Sequence, residues 1–126
     1  MGVKSPADMS ATFAKLFNAR DKAGLVALYD ENAVLTIDGA ETARGHAAIA
    51  AMMAPMFESP LKIAARCSTC HENGDTAVVR TDWILTAPDG STAMQGGSAE
   101  VLRRGGDGRW RFVIDDATFS SRAAKG

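Results

Sequence analysis

Three turn signals in the second half of the chain constrain its fold more than any other feature. Asn73-Gly74, Pro88-Asp89-Gly90 and Gly105-Gly106-Asp107-Gly108 are built from the residues that tight turns favour. Around them lie long runs that read as strands: Leu61–Glu72, Asp75–Ala87, Ser91–Arg104 and Arg109–Phe119. Strands joined by turns this short must pair antiparallel, which predicts a meander. In the run after Asn73-Gly74, Ala77, Val79, Thr81, Trp83 and Leu85 alternate with Val78, Arg80, Asp82 and Ile84. Residues two apart on a strand share a face, so the first set makes a nearly dry face and the second a mixed one. The dry face is expected to pack against helices.

Those helices come from the first half. Ser5-Pro6-Ala7-Asp8 has the form of a helix start, with Ser5 as cap and Pro6 at the first helical position. Met9, Phe13, Leu16 and Phe17 follow as one apolar stripe. Asp21 can cap a second, shorter helix carrying Leu25, Leu28 and Tyr29, stopped by Asp30-Glu31-Asn32. Ala33–Ile37 reads as a strand ended by Asp38-Gly39. Gly45 precedes a third helix with Ile49, Met52, Met53, Met56 and Phe57 on one face; Pro55 should kink or shorten it. The expected class is α+β, one domain over residues 1–126.

Composition supports a folded chain and narrows its partners. Hydrophobic residues make up 46% and charged residues 23% of 126, ordinary for a globular domain. A net charge of −1 gives no field to draw nucleic acid or acidic membranes. No apolar run approaches the ~18 residues of a membrane span, and the N-terminus lacks the apolar core of a signal peptide. The location expected is cytoplasmic. Cys67-Ser68-Thr69-Cys70-His71 has the spacing of a c-type haem attachment site. In a regular strand, however, Cys67 and Cys70 would point to opposite faces. The reading is therefore a chance match, with no metal and no cofactor.

Several runs together resemble nuclear transport factor 2-like domains. They are Phe17-Asn18-Ala19-Arg20-Asp21, Leu25-Val26-Ala27-Leu28-Tyr29-Asp30 and Asn32-Ala33-Val34, followed by Arg44-Gly45-His46-Ala47-Ala48-Ile49. Gly74–Val79 and Gly106–Phe112 match the later strands, so the likeness runs from about Met9 to about Thr118. It is strongest to the SnoaL-like and ketosteroid isomerase-like branches. The resemblance implies a cone-shaped, mostly antiparallel sheet wrapped over three N-terminal helices, a cavity for a small hydrophobic molecule, and a homodimer formed through the sheet. It leaves function open, because the fold hosts isomerases, dehydratases, hydrolases and plain binding modules.

The ketosteroid isomerase-like branch uses a carboxylate base with a tyrosine and a protonated aspartate. Phe13 stands where the resemblance puts the tyrosine, and Ile37 where it puts the base. Asp38 is one position further, either recovered by a bulge or simply opening an Asp-Gly turn. Glu100 falls on the position of the protonated acid; an apolar cavity would raise its pKa and let it act as acid or base. The alternative pairs Glu100 with Arg80 or Arg103 at the surface. Asp116 shares parity with Trp110, Phe112 and Ile114, which favours it over Asp115 as a second inward acid. Phe13, Phe17, Tyr29, Ile37, Met53, Phe57, Thr81, Trp83 and Met94 are the candidate ligand contacts. Acid–base chemistry on a hydrophobic metabolite and a non-catalytic binding module both remain open.

Overall fold

The computed structural model describes residues 2–121. A 3-10 turn, Pro6–Asp8, leads into α1 (Met9–Asn18). A short α2 (Lys22–Val26) follows, then β1 (Tyr29–Thr36) and β2 (Ala43–Arg44). After α3 (His46–Glu58) come β3 (Lys62–Asn73), β4 (Thr76–Thr86), β5 (Thr92–Arg104) and β6 (Trp110–Asp116). The six strands form one curved, unclosed sheet in the order β2-β1-β6-β5-β4-β3. The long strands β3 to β6 pair antiparallel in sequence order, as the turns require. Among the described residues, the β1–β6 pair is the only parallel one.

The helical half departs from the expectation in three places. The three helices do not all precede the sheet: β1 and β2 come before α3, while α2 is the shorter helix expected, with 5 residues against 10 in α1 and 13 in α3. Asp21 does cap α2, accepting from the Gly24 amide at 2.9 Å, whereas Ser5 makes no capping bond through its side chain. Tyr29 leaves the helix and opens β1, where Asp30, Glu31 and Asn32 continue the strand. Finally, α3 runs through Pro55 to Glu58. Proline removes one bond to the carbonyl four residues earlier. Here both Pro55 and Ala51 are exposed, so water can satisfy that carbonyl.

The inner face of the sheet and the apolar sides of the helices share one core. Phe17, Leu25, Ile49, Val79 and Leu102 are at most 1% exposed, and Met9 is fully buried with them. Arg20 fixes the turn after α1. Its φ is 58°, and its guanidinium donates to the carbonyls of Phe17, Ser59 and Leu61. Asn18 completes the joint by exchanging hydrogen bonds with the backbone of Ile63, which docks α1 on the start of β3.

Bulges interrupt the strand alternation at two points that matter. In β3, Cys67 lies opposite Thr81 and Thr69 opposite Arg80, so Ser68 is an extra residue. In β6, Ile114 lies opposite Val101 and Phe112 opposite Leu102, so Val113 is an extra residue. One inserted residue reverses the facing of everything beyond it. Both cysteines consequently lie on the inner side, opposite Thr81 and Val79, and pack against the core as free thiols. The expectation that they face opposite ways is corrected.

Candidate functional site

A cavity of about 250 Å³ lies between α1, α3 and the inner face of the sheet. Phe13 and Phe17 from α1, Met53 and Met56 from α3, and Ile63 and Ala65 from β3 build its apolar walls. Met94, 56% exposed, and the exposed Ala93 stand at its mouth. Trp83 closes the side toward β6. Its indole N–H donates to the Ala117 carbonyl at 2.7 Å, so the ring crosses β5. Gly96 permits that crossing, because a Cβ there would come within 2.7 Å of the ring.

The polar groups gather at the floor. Glu100 is 3% exposed and lies opposite Asp115, 7% exposed, in the β5–β6 ladder. Directly opposed residues share a face, with Cβ atoms roughly 5 Å apart. Glu100 accepts from the Thr81 hydroxyl at 2.6 Å and the Ser98 hydroxyl at 2.5 Å. Ser10 meets Thr81 at 2.7 Å; since the Thr81 proton is committed to Glu100, Ser10 is the donor. Asp115 accepts from the Tyr29 hydroxyl at 2.5 Å. Each side chain that donates to these two carboxyls is a neutral hydroxyl.

That arrangement sets the protonation. Burial, then the neighbouring Asp115, pushes Glu100 up to about 8 against the pull of its two hydroxyls. Burial likewise raises Asp115 to about 6, opposed by the Tyr29 hydrogen bond and reinforced by Asp116. Near neutral pH the pair therefore holds about one proton. The Tyr29 phenol is pushed well above its ordinary value, by burial first and then by Asp115. A neutral acid beside an ionised one can in principle both give and take a proton.

The sequence candidates separate into two groups. Phe13, Phe17, Tyr29, Ile37, Met53, Thr81, Trp83 and Met94 all line the cavity, together with Glu100. Phe57 does not; it is buried behind Phe17, ring centroids 5.7 Å apart. Asp38 is exposed, and its carboxylate accepts from the Ala40 and Glu41 amides in the turn after β1. The surface pairing considered for Glu100 is not formed, because Arg80 pairs with Asp82 and Arg103 with Asp30. Asp116 is replaced by Asp115 at the cavity: the Val113 bulge turns Ile114 outward, 47% exposed, and Asp115 inward. Two further floor residues, Ser10 and Ser98, went unremarked in the sequence. Ser98 stands two positions before Glu100 and so shares its face, while Ser10 lies on the Phe13–Phe17 side of α1.

A family model for the SnoaL-like domain matches residues 10–116. The chain belongs to the SnoaL-like family. Solved structures agree on the wider nuclear transport factor 2-like fold. A nuclear transport factor 2-like protein with a cystatin-like fold from Novosphingobium aromaticivorans is 24% identical, with TM-score 0.75, over 90% of this chain and 79% of the other. A protein of Thiobacillus denitrificans assigned as a calcium/calmodulin-dependent protein kinase type II association domain is 21% identical, TM-score 0.79, over 92% and 95%. A ketosteroid isomerase-like protein from Erwinia carotovora atroseptica is 22% identical, TM-score 0.65, over 84% and 86%. At these identities the likeness speaks to fold alone. No match was found among curated proteins. Among the described residues no helix is long and apolar enough to cross a membrane, and no three His, Cys, Asp or Glu residues group as metal ligands.

Proposed function

We propose that this SnoaL-like domain binds one small hydrophobic molecule in its cavity and moves a proton between the Glu100–Asp115 pair and the polar group of that molecule. The observation that carries the reading is the pairing of two buried carboxyls, on adjacent strands, beneath an apolar vault. One carboxyl of the pair serves as the base and the other as the acid. An isomerisation, dehydration or hydrolysis would each use such a pair. The base is not on the strand end where the steroid isomerase-like branch carries it, since Ile37 lines the cavity there. A second reading, binding without chemistry, draws support from the hydroxyl bonds that already hold both Glu100 oxygens.

The test is deuterium exchange at the α-carbons of an apolar ketone, 2-octanone, followed by mass spectrometry. Wild-type protein is expected to exceed buffer, and Asp115→Asn and Glu100→Gln to fall back toward it. Binding of the ketone with no exchange above buffer would favour the second reading. The same reading includes a homodimer through the outer face of a cone-shaped sheet. Val78, Val101 and Ile114 form a row there across β4, β5 and β6, with Val78 48% and Ile114 47% exposed.

A further inference from the structure

The hydrogen-bond inventory of the cavity narrows the class of molecule it can hold. Its side-chain donors are each committed to a partner. Ser10 donates to Thr81, Thr81 and Ser98 donate to Glu100, and Tyr29 donates to Asp115. Trp83 donates to the Ala117 carbonyl, and Thr118 to the Ile37 carbonyl at 2.8 Å. What remains for a ligand is the acceptor capacity of the carboxyl oxygens and the one acidic proton they share. Among the described residues no Lys, Arg or His lines the cavity. A carboxylate or phosphate head would add a further negative charge beside the carboxyl pair, in an apolar space with no cation to meet it.

A second, independent feature points the same way. Phe13, Phe17, Tyr29, Trp83 and Phe112 all line the cavity, and the Tyr29 and Phe112 rings are 4.7 Å apart beside the carboxyls. Phe13 meets Phe112 edge-on at 6.3 Å. Aromatic faces in a dry site attract a cation through the ring quadrupole. Acceptor oxygens below and aromatic rings around them form a setting for a positively charged nitrogen.

We propose that the ligand is an apolar nitrogen base, an amine or imine, which sits as a cation between Glu100, Asp115 and the aromatic walls. The inference rests on the reading that the cavity is a ligand site and names the ligand's class. The step is a simple proton transfer. A nitrogen that arrives neutral takes the carboxyl proton: its lone pair forms the new N–H bond, the carboxyl O–H bond breaks, and the O–H electrons stay on the carboxylate. An aliphatic amine, already an ammonium near neutral pH, keeps its own proton, and the carboxyl proton leaves to solvent. The titratable groups around this transfer are Asp115 opposite, Tyr29 on β1, Cys67 on β3 and Asp116 behind Asp115; none brings a positive charge. The new cation instead faces two carboxylates, and each N–H gains an oxygen acceptor.

The test uses one skeleton with three heads: octylamine, 1-octanol and octanoate. Calorimetric titration of the purified full-length protein near neutral pH should rank them amine, alcohol, carboxylate. The amine is expected at least about tenfold tighter than the alcohol, with no measurable carboxylate binding. Octanoate binding as well as octylamine would overturn the nitrogen-base proposal while leaving the ligand site intact. Failure of all three to bind would overturn both the proposal and the site reading beneath it. Glu100→Gln, checked for folding by circular dichroism, should reduce the amine-to-alcohol ratio by about tenfold. An unchanged ratio in the folded variant counts against the proposal. Should that variant fail to fold, Phe13→Leu provides the check through the rings: it should weaken octylamine severalfold more than 1-octanol, and equal weakening counts against the cationic pose.

Discussion

The two faces of β4, β5 and β6 are built from neighbouring residues yet obey different physics. On the inner face Val79 and Leu102 are fully buried, and the charged residues Glu100 and Asp115 are met only by hydroxyls. On the outer face Val78 and Ile114 stand nearly half exposed, and Asp82 is met by Arg66 and Arg80. The same carboxylate chemistry is thus held partly neutral inside and paired with arginine outside. Dehydration makes the difference: inside, burial penalises charge and no cation offsets it; outside, water and arginine do.

The sharpest break between the faces is expected at adjacent residues of β5. Leu102→Ala should destabilise by about 2–5 kcal/mol, since it removes a fully buried side chain and leaves a hole. Val101→Ala, one residue away and half-buried on the other side, should cost no more than about 1 kcal/mol in the monomer. Urea denaturation of the two variants measures both. Equal losses would mean that the outer face is also a core, as a tightly docked second copy would make it.

The next effect isolates the charge. Glu100 has an ordinary value of 4.5 and is raised to about 8 in the fold. A raised carboxyl means that the folded state binds the proton more tightly than the unfolded chain does. Its stabilising contribution is therefore full below about 4.5 and is lost as pH climbs through about 8. Asp115, raised from 3.8 to about 6, acts with the same sign over a lower window. Wild-type stability should fall across that span by several kcal/mol, the larger part of it from Glu100. Glu100→Gln should flatten the fall, leaving the smaller part due to Asp115. Denaturation curves at about pH 5, 7 and 9 read this, and parallel pH profiles for the two proteins would contradict the buried-acid account.

How far these contrasts were legible in the sequence depended on bulges. In β4 the alternation from Ala77 to Leu85 holds, and Ala77, Val79, Thr81 and Leu85 are all buried as the period of two requires. Glu100 faces the cavity for the same reason, because β4 and β5 stay in register from Leu85–Met94 to Thr76–Arg103. Asp115 was missed because Val113 inserts between Phe112 and Ile114 and exchanges the faces of all that follows. Ser68 did the same to Cys70. A bulge leaves only a faint trace in composition, such as the unbroken apolar run Phe112-Val113-Ile114 where a one-sided strand should alternate. Tyr29 was misassigned because its apolar neighbours fit the end of a helix as well as the start of a strand. The tertiary pairing with Phe112 decided it.

The smallest effect expected is at Asp82, and it tests the outer half of the comparison. Its carboxylate meets Arg66 and Arg80, each at 3.2 Å, with the arginine side chains 79% and 49% exposed. Such pairs gain little, because water screens the attraction and two long side chains lose freedom to make it. Asp82→Asn should therefore change stability by no more than about 0.5 kcal/mol, and salt should shrink even that. Both are measurable in urea titrations at low and high ionic strength. A loss well above this, insensitive to salt, would mean that Asp82 is shielded from water in solution. The row Val78–Val101–Ile114 lies on the same face of the sheet, so the natural shield would be a second protomer packed across it. Asp82 thus reports on dimerisation through a charge, where the Val101 comparison reports on it through packing.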